Sequence, residues 1–480
     1  MNSKILLALG MLSSSALTSG CNTATNCPTC GPTQNGTVTA IAVMEVPQSS
    51  PYGKPFAVWD LVNHDPVNRR LYVTDRSHAA IAVFDTANDK TIGQVKPPGS
   101  GAFVGSVCCE PDRASNFNEL SGPNGAMVTK PYNAAGALES RPLGNLWVSD
   151  GDSTIKIFNL DTDTLPVDHN DDAKKQSFGV AHTGLPFLNI DDCARGTNST
   201  LYPNGNACGD MRADEPAFDP DHDVMIVTNG DGPNGAFVTM LDTKNPACVA
   251  NSCVMAQFFM DGKADGSACP DPAVSGVTTG TVKCRHGSNA TNGLGGSIYN
   301  PVTKKFLLGV PQVDANPAEG EIMEIDPVTV TAKHYPLTLA SGAPGCQVAD
   351  VALGPSQNLL VGCANREGEA FPPSTYVMDV SAAGNGKILS AIYQVGRVDQ
   401  VWYNPGDKRF YLAARDMENG SFLGIIDATN NMWLYNAPTG GNAHGVAVDP
   451  FNNHIYIPIA QNARCGRYSA EGCITVYAAQ

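Results

Sequence analysis

The sequence predicts an all-β fold, a seven-bladed β-propeller of four-stranded antiparallel blades. Three observations predict it: short strands of period two, a repeated mark at the end of each first strand, and chain ends that complete each other. The clearest unit begins with Val58-Trp59-Asp60-Leu61-Val62-Asn63-His64-Asp65-Pro66. Arg69-Arg70-Leu71-Tyr72-Val73-Thr74-Asp75, Ala80-Ile81-Ala82-Val83-Phe84-Asp85 and Thr91-Ile92-Gly93-Gln94-Val95 follow, separated by tight polar turns. The middle two alternate apolar with small or polar residues, as half-buried strands do. One such sheet cannot bury both faces, so it requires copies of itself.

The copies are marked by a residue pair closing the first strand. They are Asp65-Pro66, Asp219-Pro220, Asn300-Pro301, Gly354-Pro355, Asn404-Pro405 and Asp449-Pro450, with Lys130-Pro131 a weaker seventh. A second strand follows each, as in Leu146-Trp147-Val148, Met225-Ile226-Val227 and Phe410-Tyr411-Leu412. Third strands often end in aspartate, at Asp85, Asp242, Asp326 and Asp427. The units recur at roughly 45- to 90-residue spacing, which suits propeller blades. A β-sandwich with coincidental turns competes, but the marks recur in one order. The last unit lacks a fourth strand before Gln480, and Thr37–Val46 has strand character ahead of the first blade. The N-terminal strand therefore completes the last blade and leaves no open seam.

Residues 1–20 read as a secretory signal peptide: Lys4, an apolar run from Ile5 to Leu12, then small residues. Leu17-Thr18-Ser19-Gly20-Cys21 is similar to a bacterial lipoprotein cleavage box, which would lipidate Cys21. Simple secretion is the alternative. Residues 21–37 are polar and read as a tether, leaving 38–480 for the propeller. Membrane contact is expected only through the lipid anchor, placing the chain in the cell envelope, periplasmic or on the outer surface, or secreted.

Fifteen cysteines fit an oxidising compartment. Apart from Cys21 they fall into neighbours along the chain: Cys27/Cys30, Cys108/Cys109, Cys193/Cys208, Cys248/Cys253, Cys269/Cys284, Cys346/Cys363 and Cys465/Cys473. Local disulfides are the simplest pairing, though sequence does not prove connectivity. Cys27-Pro28-Thr29-Cys30 lacks the following histidine that covalent haem attachment needs. No nucleotide or haem cofactor is indicated. A net charge of −16 argues against nucleic acid as a partner.

The segment Leu71–Asp75 through Val83–Asp85 resembles the repeat of YVTN/NHL-type propellers, over about residues 38–480. That resemblance implies a fold shared by surface-layer and binding proteins, calcium-dependent lactonases and some lyases. Lactonase-type relatives carry Glu, Asn and Asp ligands in the channel, for which Asn124, Glu215 and Asp399 would be counterparts. Their first catalytic Glu finds no aligned counterpart.

Function is expected where the innermost strands start. Six residues before each proline stand Asp60, Gly125, Asp214, Gly295, Ala349, Asp399 and His444, with Asn124, Glu215 and Asp350 adjacent. A ring of carboxylates binds a cation or raises some of its own pKa values. Oxygen ligands favour Ca²⁺ or Mg²⁺, with Asp60, Asn124, Asp214, Glu215 and Asp399 as the candidate donors. Turn capping by these aspartates is the competing reading. His444 is the candidate general base, and a structural hydrogen-bonding role is its alternative. Long loops at Pro97–Pro123, His182–Ala213 and Asp261–Leu294 would rim the same mouth, bringing His182 and His286 to the ligand. They carry Cys108/Cys109, Cys193/Cys208 and Cys269/Cys284, whose bridges would brace the rim. Arg76, Arg212 and Arg415 could clamp an anion there. The expected function is an extracytoplasmic binding protein for a small molecule, or for an extracellular protein or glycan, with a divalent cation at the loop-rich mouth. The alternative is a lactonase-like, metal-dependent hydrolase or lyase using the channel carboxylates and His444.

Overall fold

The computed structural model describes residues 37–47, 54–97, 102–106, 117–166, 179–184, 210–230, 232, 235–268, 282–339, 343, 345–365 and 371–479. The signal peptide, Cys21, most of the expected tether, Cys193, Cys208, Cys269 and much of the three long loops lie outside the described residues.

Seven sheets stand in a ring, each hairpinned outward from an inner strand. In chain order the inner strands are Trp59–Asp65, Ala126–Thr129, Ala213–Asp219, Ser297–Asn300, Val348–Leu353, Val398–Asn404 and Ala447–Asp449, and they define blades 1 to 7. Blades 1 and 3 carry a fifth strand that the repeat did not predict. Leu165–Pro166 pairs with the outer strand of blade 1, and Lys283–His286 runs parallel to Val254–Phe259 of blade 3. The ring closes as expected: Val38–Glu45 pairs antiparallel with Cys473–Ala479.

The repeated marks have a physical cause. Asp65, Asp219, Asn300, Asn404 and Asp449 each accept a backbone N–H two residues on, at 2.8 to 3.0 Å. The side chain thus holds the turn before the second strand pairs. Asp85, Asp242, Asp326 and Asp427 do the same for the third turn, at 2.8 to 3.0 Å. The turns also join blades. Asp449 Oδ2 accepts Thr86 Oγ1 at 2.7 Å and pairs with Arg69 Nη2 at 2.8 Å, clasping blade 7 to blade 1. Blade 2 has Lys130 in place of the turn aspartate, and its ammonium reaches Asp223 of blade 3 at 2.8 Å.

The core is divided rather than central. Separate apolar clusters fill the layers between consecutive blades, such as Ile226, Phe258, Phe306 and Met323 between blades 3 and 4. Leu360, Val377, Phe410 and Leu412 fill the layer between blades 5 and 6. Each sheet buries both faces on its neighbours, so the axis is left for a channel. Disulfides join Cys248–Cys253, Cys346–Cys363 and Cys465–Cys473, all local as the spacing suggested. They suit an oxidising compartment. Cys284 differs from its expected setting in a loop. It stands on the extra strand of blade 3, paired in register with Gln257, because that blade's outer edge takes up the passing chain as a further strand. Cys284 is disulfide-bonded, and its expected partner Cys269 lies outside the described residues. No helix among the described residues is long and apolar enough to cross a membrane.

Candidate functional site

Two rings of residues line the axis. Four inner strands shift register near their start, between Trp59 and Val62, Ala213 and Pro216, Val348 and Asp350, and Val398 and Val401. A bulge re-aims the side chains around it. At the position six before each proline, Asp60, Asp214 and Asp399 contribute to a charged layer at the mouth. The position five before it, which supplies Leu61, Ala126, Glu215, Asp350 and Gln400, lines a cavity beneath.

The upper layer is an ion-pair network. Arg76 Nη2 pairs with Asp60 Oδ2, and Arg212 Nη1 reaches the same oxygen at 3.3 Å. Arg212 Nε meets Glu119 Oε2 at 2.9 Å and its Nη2 meets Asp214 Oδ2 at 2.9 Å. Asn124 Oδ1 accepts from Arg76 Nε at 3.1 Å and Nη2 at 2.7 Å, while its amide donates to the Ala213 carbonyl at 2.8 Å. Arg76 and Asn124 are buried. Arg415 Nη1 pairs with Asp399 Oδ2 at 3.0 Å on a more exposed part of the rim. Asp60, Asn124 and Asp214 are therefore brought together as expected, but with guanidinium groups between them. Asp214 is buried, and burial pushes its carboxyl up to about 7 although Arg212 pulls it down.

This layer does not fit a Ca²⁺ or Mg²⁺ cage. Its carboxylates meet arginine, and the Asn124 carbonyl oxygen is already shared by two guanidinium nitrogens. Among the described residues no group of three or more His, Cys, Asp or Glu is placed to hold a metal ion. The same pairs occupy the guanidiniums of Arg76, Arg212 and Arg415, which an anion clamp would need.

His444 stacks on Trp59, with centroids 4.7 Å apart and planes at 6°. Its Nδ1 lies 2.7 Å from the Asn442 carbonyl and its Nε2 3.3 Å from the Trp59 carbonyl. Burial lowers its pKa. Both nitrogens face backbone acceptors, so the ring buttresses the blade 7 to blade 1 seam. His182 ends the outer strand of blade 2, and His286 lies on the extra strand of blade 3 with Nδ1 2.8 Å from Asp261. These strands stand at the periphery of their blades, so neither histidine joins the axial cluster.

Below the network the channel opens into a cavity of about 400 Å³, within the usual range of ligand sites. Met127, Phe218, Ile298, Val351, Val401 and Trp402 make its walls largely apolar. Pro66, Pro131 and Pro220 mark its entrance on the turn face, opposite the loop-rich mouth. Glu215 and Asp350 stand at its inner end. Asp350 accepts the Val351 and Val401 N–H groups at 2.8 and 2.9 Å, yet burial pushes its carboxyl up to about 7. Glu215 makes no side-chain hydrogen bond or ion pair among the described residues. Burial, then Asp214 and Asp350, hold its pKa well above the ordinary range. Gly296 is required between them: a Cβ there would overlap Asp350 Oδ1 and come within 2.7 Å of Glu215 Oε2.

Glu215 was among the expected residues, but as a metal donor. Asp350 was expected beside the ring but not as a donor, and Gln400 and Glu119 were not among the expected residues. The signal for the first two was present, since both stand five residues before their proline. Glu119 lies within the long loop Pro97–Pro123 and has no position in the repeat.

No family model and no curated protein matches this sequence. By structure the chain is similar to Kuenenia stuttgartiensis hydrazine synthase, with a TM-score of 0.50, 13% identity, and coverage of 92% of this chain and 97% of that one. A chain from the mitotic checkpoint complex aligns with a TM-score of 0.48 and 10% identity, covering 100% of both chains. At such identities the first likeness shows the fold alone. This chain is a seven-bladed β-propeller.

Proposed function

We propose that this protein is an extracytoplasmic binding protein whose ligand, a small molecule with an apolar body, enters the central channel from the turn face. The observation that carries this reading is the cavity of about 400 Å³, with apolar walls ending on Glu215. An apolar hollow of this size stays costly unless something fills it. The local disulfides and the leader-like first 20 residues support export, with Cys21 as the anchor. The YVTN/NHL-like repeat is compatible with binding as with catalysis. A metal-dependent lactonase or lyase is the weaker reading, because the Asn124 amide is engaged within the fold and the His444 ring is stacked on Trp59 with its nitrogens facing backbone carbonyls.

Trp402 lines the cavity and supplies the test. The neutral dye N-phenyl-1-naphthylamine should bind saturably and accept energy from Trp402. Trp402→Phe should remove most of that transfer. Met127→Trp should narrow the channel and weaken binding, whereas Arg415→Met at the opposite mouth should not. A dye that binds without energy transfer from Trp402, or does not saturate, would place the ligand elsewhere.

A further inference from the structure

The inner end of the cavity carries two carboxyl groups that no cationic side chain pairs directly among the described residues. Glu215 faces the cavity with no ion pair among the described residues, and Asp350 crowds it across Gly296. The cations at the entrance are already engaged. Lys130 pairs with Asp223 at 2.8 Å, and Arg141 with Glu139 and Asp161 at 2.6 and 2.9 Å. His64, also in the wall, is held neutral because burial lowers its pKa to about 4. In the layer above, Arg76 and Arg212 are shared among Asp60, Glu119 and Asp214. The cavity lining also holds an unsatisfied hydroxyl. The Ser297 hydroxyl, next to Gly296 and lining the same cavity, is buried and has no hydrogen-bond partner among the described residues.

We propose that the channel selects a ligand carrying one primary ammonium group, seated against Glu215, Asp350 and Ser297, with its apolar body along the wall toward Trp402. The inference rests on the channel-binding reading and specifies its ligand class. An ammonium has three donors, and these three side chains present acceptors. A guanidinium is less suited, because its flat fork wants one bidentate carboxylate, and the Asp350 oxygens already accept backbone N–H groups. A carboxylate ligand would bring a third acid against Glu215 and Asp350, with no cationic side chain there to pair it among the described residues. A hard divalent cation would find only two carboxylates, in a pocket whose remaining walls are largely apolar. The ammonium supplies the counter-charge that lets these carboxyls ionise, and the chain attached to it covers the apolar walls. Both parts of the cavity are then used at once.

The experiment compares octylammonium, 1-octanol and octanoate on the full folded chain by displacement of the dye. Octylammonium should displace it at concentrations at least about tenfold below 1-octanol, since charge-assisted hydrogen bonds are stronger than neutral ones. Octanoate should be the weakest. Glu215→Gln should abolish most of the preference for octylammonium and leave 1-octanol unchanged. If 1-octanol competes as well as octylammonium on the wild-type chain, the channel binds apolar molecules and the ammonium inference falls. A preference that survives in Glu215→Gln overturns it as well. If the dye binds and none of the three displaces it, the ammonium inference falls for this pocket. If the dye itself does not bind, the channel reading falls first.

Discussion

Arg212 holds three carboxylates together, so its removal should expose the electrostatics of the mouth. Arg212→Met keeps the apolar stem and deletes the charge. Asp60, Glu119 and Asp214 lie 2.9 to 3.3 Å from its nitrogens. At an effective dielectric of about 20, each attraction is worth roughly 5 kcal/mol before desolvation. Desolvation cancels most of this, and removing one partner of a buried pair costs about 3–5 kcal/mol net. Arg415→Met is the control, because the Asp399 pair is about a third exposed and should cost only about 0.2–1 kcal/mol. The cost should also depend on pH. The Asp214 carboxyl sits near 7 in the fold, above its ordinary value of 3.8. Between those values the folded state binds more protons than the unfolded state, so stability from this group falls as pH rises. At pH 8 Asp214 is charged and needs Arg212, whereas at pH 5 it is mostly neutral. The Arg212→Met penalty should therefore be largest at pH 8 and shrink toward pH 5. Urea unfolding followed by tryptophan emission, to which the buried Trp59 and Trp147 contribute, reads it. Equal penalties at both pH values, or equal costs for Arg212→Met and Arg415→Met, would refute this account.

Two further outcomes follow from the ring itself. A chain starting at residue 47 lacks Val38–Glu45 and leaves Cys473–Ala479 as an open edge. Compared with a chain starting at residue 37 it should aggregate by light scattering, and a peptide of residues 37–46 added in trans should raise its melting temperature. An equally stable truncated chain would mean the seam does not need that strand. Replacing Cys346 and Cys363 together by alanine, a pair 17 residues apart, should cost about 3 kcal/mol, against about 2 for the shorter Cys248–Cys253 loop. Non-reduced peptide mapping should recover both pairs and a Cys269–Cys284 bridge, and bridges between distant blades would contradict the local arrangement.

The sequence by itself determined the architecture. Period-two strands, the Asx-Pro turns and the incomplete last blade are local signals, and each works through its own backbone. Asp65 and Asp449 accept the N–H groups of Val67 and Phe451 two residues on. The closing strand was legible because an edge must be paired. The position six before each proline also led to Asp60, Asp214 and Asp399. Their partners were not legible in that pattern. Whether a carboxylate meets a cation or a guanidinium depends on which blade faces it, and Arg76, Arg212 and Arg415 arrive from outside that position. The tertiary structure decided this, and it moved the candidate binding site from the charged mouth to the apolar cavity below. Bulges in the inner strands turned Glu215 and Asp350 into the channel, while the arginines paired with the carboxylates above them. The raised pKa values of Glu215 and Asp350 are a property of the closed ring, because desolvation and proximity act only once distant blades are packed together.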